Sequence, residues 1–152
     1  MAPLSHESQV EANKATVKEM LAQLNAGNIG GFVEHLADNY VRHCQAMPPD
    51  LQEIRGPEGM GAWLVANQEG FPDYREDLEM LVGEGDFVAW RSVGQGTQKA
   101  PFGPFPPTGR RMTVVIIGMH RFENGKVTET WASWDNLAVL GQLGLFPPKA
   151  PA

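Results

Sequence analysis

Apolar residues in the first part of the chain recur at helical spacing. Val10, Val17, Met20, Leu21 and Leu24 fall on one stripe, which predicts an amphipathic helix over 8–26, ended by Gly27. Ile29, Phe32, Val33 and Leu36 predict a second, shorter helix. Tyr40 to Cys44 reads as extended, and a loop with Pro48-Pro49 follows. Gly56-Pro57 opens a third helix, since proline suits the first helical turn; it buries Met60, Trp63 and Leu64 and stops near Gly70-Phe71-Pro72.

Beyond Pro72 the period shortens to two. Tyr74, Leu78, Met80 and Val82 alternate as in a strand, and Gly83-Glu84-Gly85-Asp86 is a turn. Phe87 to Gln95 is a second strand, carrying Trp90. Lys99 to Gly109 is rich in Pro and Gly and reads as loop. Met112 to Phe122 is a long strand, Asn124-Gly125 a hairpin turn, Val127 to Trp134 its partner, and Asn136 to Gly141 a closing helical turn. Helices first and a meander of strands after predict an α+β fold. The expected architecture is a cone-shaped barrel, its amino-terminal helices packed in a strongly curved antiparallel sheet.

The 152 residues fit one domain, without repeat or linker, with flexible tails expected at 1–7 and 147–152. Cys44 is the one cysteine, which excludes an intramolecular disulfide and a cysteine metal cluster and suits a cytoplasmic protein. Met1 to Lys14 lacks the apolar run of a secretory signal, and Met112–Met119, the longest apolar run, is too short to span a bilayer. A net charge of −6, with Arg110-Arg111 the only basic pair, excludes a nucleic-acid binder. Histidines 6, 35, 43 and 120 show no metal spacing, and neither a Gly-rich phosphate loop nor a Gly-x-Ser-x-Gly elbow occurs.

Five stretches stand in a telling order: Phe71-Pro72-Asp73, Gly85-Asp86-Phe87-Val88, Phe105 to Arg110, His120 to Val127, and Trp131-Ala132-Ser133-Trp134-Asp135-Asn136-Leu137 ahead of Gln142-Leu143-Gly144. In order and spacing the chain resembles the SnoaL-like polyketide cyclases, of the nuclear-transport-factor-2-like fold, over most of its length. The resemblance implies a cofactor-free reaction on a small apolar molecule. A buried carboxylate takes a proton beside a carbonyl, and hydrogen-bond donors steady the enolate. This sequence departs from the cyclases at three positions. Their catalytic Asp aligns with Ala132, their active-site histidine with Gly118, and their early amide residue with Arg42.

The hairpin register decides which residues share a face. With a two-residue turn, Glu123 pairs with Lys126 and His120 lies opposite Glu129. With a three-residue loop and a bulge, Phe122 pairs with Lys126, and His120 joins Ile116, Gly118, Thr130, Ala132 and Trp134. The resemblance favours the second, since only it sets Gly118 and Ala132 on one face. The wall is then Met112, Val114, Ile116, Gly118, His120, Thr128, Thr130, Ala132 and Trp134. Small Gly118 and Ala132 leave room either for a bulky ligand or for a closely packed helix.

Three residues are candidates for proton transfer: His43 and His120, which titrate near neutrality, and Asp135, which is equally suited to cap the closing helix. Arg42, Trp63, Trp90, Met112, Val114, Ile116, Gly118, Ala132 and Trp134 are the candidate substrate-binding residues, with no metal ligands and no cofactor. The loop with Phe102 and Phe105 is a lid, a rigid connection or a subunit contact. Val115, Ile117, Met119 and Trp131 make the opposite face apolar enough to predict a homodimer through it. The expected function is a cofactor-independent acid–base enzyme on a hydrophobic carbonyl compound, polyketide-like or terpenoid-like, by cyclisation, isomerisation or hydrolysis. The alternative is a non-catalytic small-molecule binder, to which Ala132 points; a third reading is an assembly subunit working through its outer sheet face.

Overall fold

Ser5 and Asn28 open the first two helices by accepting hydrogen bonds from the backbone N–H groups of Ser8 and Gly31, at 3.2 and 3.0 Å. The computed structural model describes residues 2–148 and 150. Its helices are α1 (His6–Asn25), α2 (Ile29–Val33), α3 (Gly56–Gly70) and α4 (Asn136–Gln142). Its strands are β1 (Leu36–His43), β2 (Glu53–Arg55), β3 (Arg75–Glu84), β4 (Phe87–Thr97), β5 (Arg111–Glu123) and β6 (Lys126–Trp134). Leu36 opens β1 instead of closing α2. His6 and Glu7 are helical, so α1 begins two residues before the expected start at 8. Of the two expected tails, Met1, Lys149, Pro151 and Ala152 lie outside the described residues. Strand β2 went unforeseen: only its middle residue, Ile54, is buried, and three residues are too few to show a period.

The six strands form one sheet in the order β2-β1-β6-β5-β4-β3, curled but not closed. The α+β class and the packing of helices on a curled sheet are as expected. One strand pair corrects the all-antiparallel expectation, because β1 runs parallel to β6, with Arg42 opposite Thr130 and His43 opposite Trp131. Parallel neighbours need a long crossover, which α3 and the β3–β5 meander supply here. A strand's own period carries no information on its neighbour's direction. Two apolar clusters fill the interior. Val17, Met20, Tyr40, Leu64, Val88 and Val127 sit under the first three helices; Phe71, Met112, Val114, Ile116, Val139 and Leu143 sit beside α4.

The β5–β6 hairpin combines the two expected registers. Asn124 and Gly125 both have positive φ, 51° and 76°, as a two-residue turn requires, and Glu123 pairs with Lys126. The longer loop is thereby ruled out. Phe122 pairs with Val127, but Arg121 pairs with Glu129, so Thr128 is the extra residue of a bulge. Val127 and Thr128 are consecutively buried, and the Thr128 hydroxyl donates to the Arg121 carbonyl at 3.2 Å. Past the bulge His120 pairs with Thr130, Gly118 with Ala132 and Ile116 with Trp134. The bulge restores the face that the turn alone would have reversed.

Candidate functional site

Between the helices and the concave side of the sheet lies a cavity of about 430 Å³ with mostly apolar walls. That volume suits a drug-sized ligand. Met20 and Leu24 of α1, Trp63 and Leu64 of α3, and Phe102 of the long loop close it on one side. Of the expected substrate-binding residues, Arg42, Trp63, Trp90, Met112, Val114, Ile116, Ala132 and Trp134 all line it, and so does His120. The loop carrying Phe102 is tied down by buried Gln98, which donates to the Pro106 carbonyl at 3.1 Å and accepts from the Thr108 hydroxyl at 2.7 Å.

Gly118 does not line the cavity. A Cβ there would run into the Trp90 ring and sit 2.7 Å from the Trp131 carbonyl oxygen. The absent side chain therefore makes room for an indole of the protein, not for a ligand. Placed this way, Trp90 stacks on His120, with ring centroids 4.3 Å apart and planes 14° from parallel. His120 is buried, and its Nδ1 shares a 2.7 Å hydrogen bond with Thr130 Oγ1. Burial alone pushes its pKa down to about 3, so the imidazole is neutral at physiological pH.

Arg42 and His43 are adjacent on β1 and point to opposite faces. Arg42 turns into the cavity, where it is only 3% exposed. Its guanidinium carbon lies 4.1 Å from the Trp63 ring centroid and 5.7 Å from that of Trp134. Its Nη1 is buried with no hydrogen-bond partner. Burial holds the Arg42 pKa below the usual value. His43 lies on the convex face, away from the cavity in which it was expected. There it is 2.6 Å from Glu129 Oε2 and stacks on Trp131 at 5.7 Å. Arg121 reaches the other oxygen of Glu129 at 3.2 Å. The His43 hydrogen bond, aided by Arg121, holds the Glu129 carboxyl below the usual carboxylate range. Val115 and Ile117 are exposed on this convex face, where the expected dimer contact would sit. Asp135 is exposed and caps α4, accepting from the Ala138 N–H at 3.0 Å. It too lies outside the cavity lining.

One residue of the cavity escaped the sequence reading. Glu76 on β3 is buried at 9% exposure and lines the cavity. The Ser92 hydroxyl donates to its Oε1 and the Tyr74 hydroxyl to its Oε2, the latter at 2.9 Å. The Asn25 side chain fixes its backbone, donating to the Glu76 carbonyl at 2.7 Å and accepting from its N–H at 2.9 Å. Burial raises the Glu76 pKa, and the two hydroxyl donors pull it partly back. The sequence hides Glu76 in the acidic run Glu76-Asp77, which reads as a solvated face. A signal was nonetheless present, since Glu76 lies midway between Tyr74 and Leu78 on the alternation that faces inward. That alternation then fails: a bulge between Leu78 and Met80 turns Met80 and Val82 outward, 61% and 65% exposed. Among the described residues no three His, Cys, Asp or Glu side chains converge as metal ligands, and no helix is long and apolar enough to cross a membrane.

The fold is shared with several solved proteins. The candidate hydroxylase AclR from Streptomyces galilaeus is 26% identical, with 91% of this chain and 99% of that one aligned and a TM-score of 0.78. The candidate polyketide cyclase IdmH from Streptomyces antibioticus is 30% identical over 88% of this chain and 99% of that one, with a TM-score of 0.74. A SnoaL-like protein from Jannaschia sp. is 23% identical and aligns over 97% and 99% with a TM-score of 0.81, which speaks for the fold alone. No curated protein matches the sequence. The profile of the SnoaL-like polyketide cyclases matches residues 15–143, from the middle of α1 to the residue after α4. With fold, cavity and profile in agreement over that span, the chain belongs to the SnoaL-like polyketide cyclase family.

Proposed function

We propose that the protein is a cofactor-independent acid–base enzyme acting on a hydrophobic carbonyl compound of polyketide-like or terpenoid-like skeleton. The observation that carries this reading is that Glu76 and His120 both line one mostly apolar cavity. A carboxylate with a raised pKa is a stronger base toward a weak carbon acid. Glu76 takes the proton from the carbon beside the carbonyl. His120, kept neutral by burial, acts as a donor to the carbonyl oxygen. If the Thr130 hydroxyl donates to Nδ1, the proton of His120 stands on Nε2, and the imidazole can steady an enolate without first losing a charge. The carboxylate sits on β3 and not at Ala132, where the cyclases carry theirs.

Deuterium wash-in tests this without knowledge of the product. β-Tetralone, a bicyclic ketone, is incubated with the protein in D2O. The proton beside its carbonyl passes to the base, and a deuteron from solvent returns to the carbon. We expect exchange well above the buffer rate, reduced on the order of a hundredfold by Glu76→Gln and by His120→Ala. A second reading, a non-catalytic binder, is favoured by Ala132 alone. Tight binding of the ketone with no exchange above buffer would decide for the binder.

A further inference from the structure

Among the described residues that line the cavity, Arg42 is the one with a fully buried side-chain nitrogen that makes no hydrogen bond. Apart from the Glu76 carboxylate, already bonded to Ser92 and Tyr74, the cavity wall is apolar or neutral around it. The neighbours of Arg42 on its own face of β1 are Tyr40 and Cys44, neither of them a carboxylate. No ion pair to Arg42 occurs among the described residues. Its guanidinium is held between Trp63 and Trp134, and its Nη1 is buried and unbonded. Removing a charge from water without a partner is costly, and proteins avoid it unless something else supplies the partner. Arg75 and Arg121, which reach solvent, each have a carboxylate partner. Buried Arg42 has none among the described residues, which assigns the missing anion to the ligand.

We propose that the cavity takes a flat, unsaturated ligand bearing a carboxylate, which Arg42 anchors while Trp63 and Trp134 lie against the adjoining ring. This deepens the reading above by naming the substrate class, and it rests on that reading only in taking the cavity as the ligand site. The guanidinium offers a planar fork of donors that matches a carboxylate. The two indoles lie beside the fork, with ring centroids 4.1 and 5.7 Å from its central carbon.

The test is a pair of probes of the same skeleton and nearly the same size, one with the anionic two-oxygen acceptor and one without it: 2-naphthoate and its neutral amide, 2-naphthamide. Binding is read from the quenching of tryptophan fluorescence at neutral pH. We expect the wild-type protein to bind naphthoate on the order of tenfold more tightly than the amide. Arg42→Met should erase that preference. It should also melt at the same or a higher temperature without ligand, because replacing an unpaired buried charge by an apolar chain of similar length relieves a desolvation cost. Should Arg42→Met fail to fold, Arg42→Lys keeps the charge, loses the fork, and should retain only part of the preference. Equal binding of the two probes, binding of neither, or a preference that survives in Arg42→Met would overturn the proposal. A markedly lower melting temperature in Arg42→Met would also overturn it, by making the arginine structural. The two readings fail separately. Ketone exchange without a charge preference sinks this one, and a charge preference without exchange sinks the acid–base mechanism.

Discussion

The two faces of the sheet carry the same kinds of side chain under opposite conditions. On the convex face His43, Glu129, Arg121 and Trp131 form a connected group in which each charge has a neighbour. On the concave face His120, Arg42, Glu76, Trp90 and Trp134 line a cavity, and the charged groups there do not pair with one another. Strand alternation alone decides which side a residue joins: Arg42 and His43 are consecutive, and so are Glu129 and Thr130. The difference teaches where chemistry is to be sought. A paired, partly exposed cluster is worth little to stability and is already satisfied. A buried, incompletely bonded one is costly to maintain, and such sites are where perturbed protonation is put to use.

The largest effect that would break this comparison is on acid stability. Burial lowers the His120 pKa from 6.5 to about 3 in the folded protein. Between those values the unfolded chain holds a proton there that the folded one does not. Stability therefore falls as pH drops through that window, and the contribution of neutral His120 is complete only above about pH 6.5. Its full size is up to about 4–5 kcal/mol. His120→Gln, which cannot titrate, should flatten the fall. Urea denaturation at pH 4 and pH 7 checks it. Parallel slopes for wild type and His120→Gln would show that His120 is hydrated and not the desolvated group described.

A middle-sized effect sharpens the role of Gly118. Its backbone lies directly under Trp90, and an added methyl meets both that ring and the Trp131 carbonyl. Gly118→Ala should cost about 1–3 kcal/mol and disturb the Trp90–His120 stack. A chemical denaturation series gives the cost, and near-ultraviolet circular dichroism reports the tryptophan. An unchanged spectrum with unchanged stability would mean that Gly118 leaves room for a ligand instead.

Much of this arrangement was readable from the residue pattern. The periods of 3.6 and 2 placed α1, α3 and the long strands to within a few residues, and alternation along β5 and β6 accounts for Met112, Val114, Ile116, His120, Thr130, Ala132 and Trp134 lining the cavity. What escaped were departures from regularity. The Thr128 bulge reverses the consequence of the Asn124-Gly125 turn, and the bulge after Leu78 sends Met80 and Val82 outward. A bulge adds one residue and leaves no periodic trace of its own. Glu76 escaped for a related reason: a carboxylate in an acidic run reads as solvated, and only the tertiary contacts of Asn25, Tyr74 and Ser92 reveal it as buried. His43 was taken for a cavity residue because sequence alone gives β1 no face.

The smallest effect concerns Asp135, the residue that most invites a catalytic role by its position at the end of β6. Its carboxylate accepts a hydrogen bond from the Ala138 N–H, one of the backbone donors left unpaired in the first turn of α4. Removing a capping carboxylate typically costs about 1 kcal/mol, while asparagine caps about as well as aspartate. Asp135→Ala should therefore lose about that much stability, and Asp135→Asn almost none. Neither should change the rate of ketone exchange by more than about twofold, because the side chain is outside the cavity and touches only its own helix. Thermal melts and the deuterium assay on the two variants separate the roles cleanly. A cap is sensitive to losing an acceptor and indifferent to losing a charge; a base is sensitive to both. If Asp135→Asn kept its melting temperature and lost exchange, the proton would be leaving through the helix cap, and the division between a satisfied outer face and a working inner one would fall at that residue.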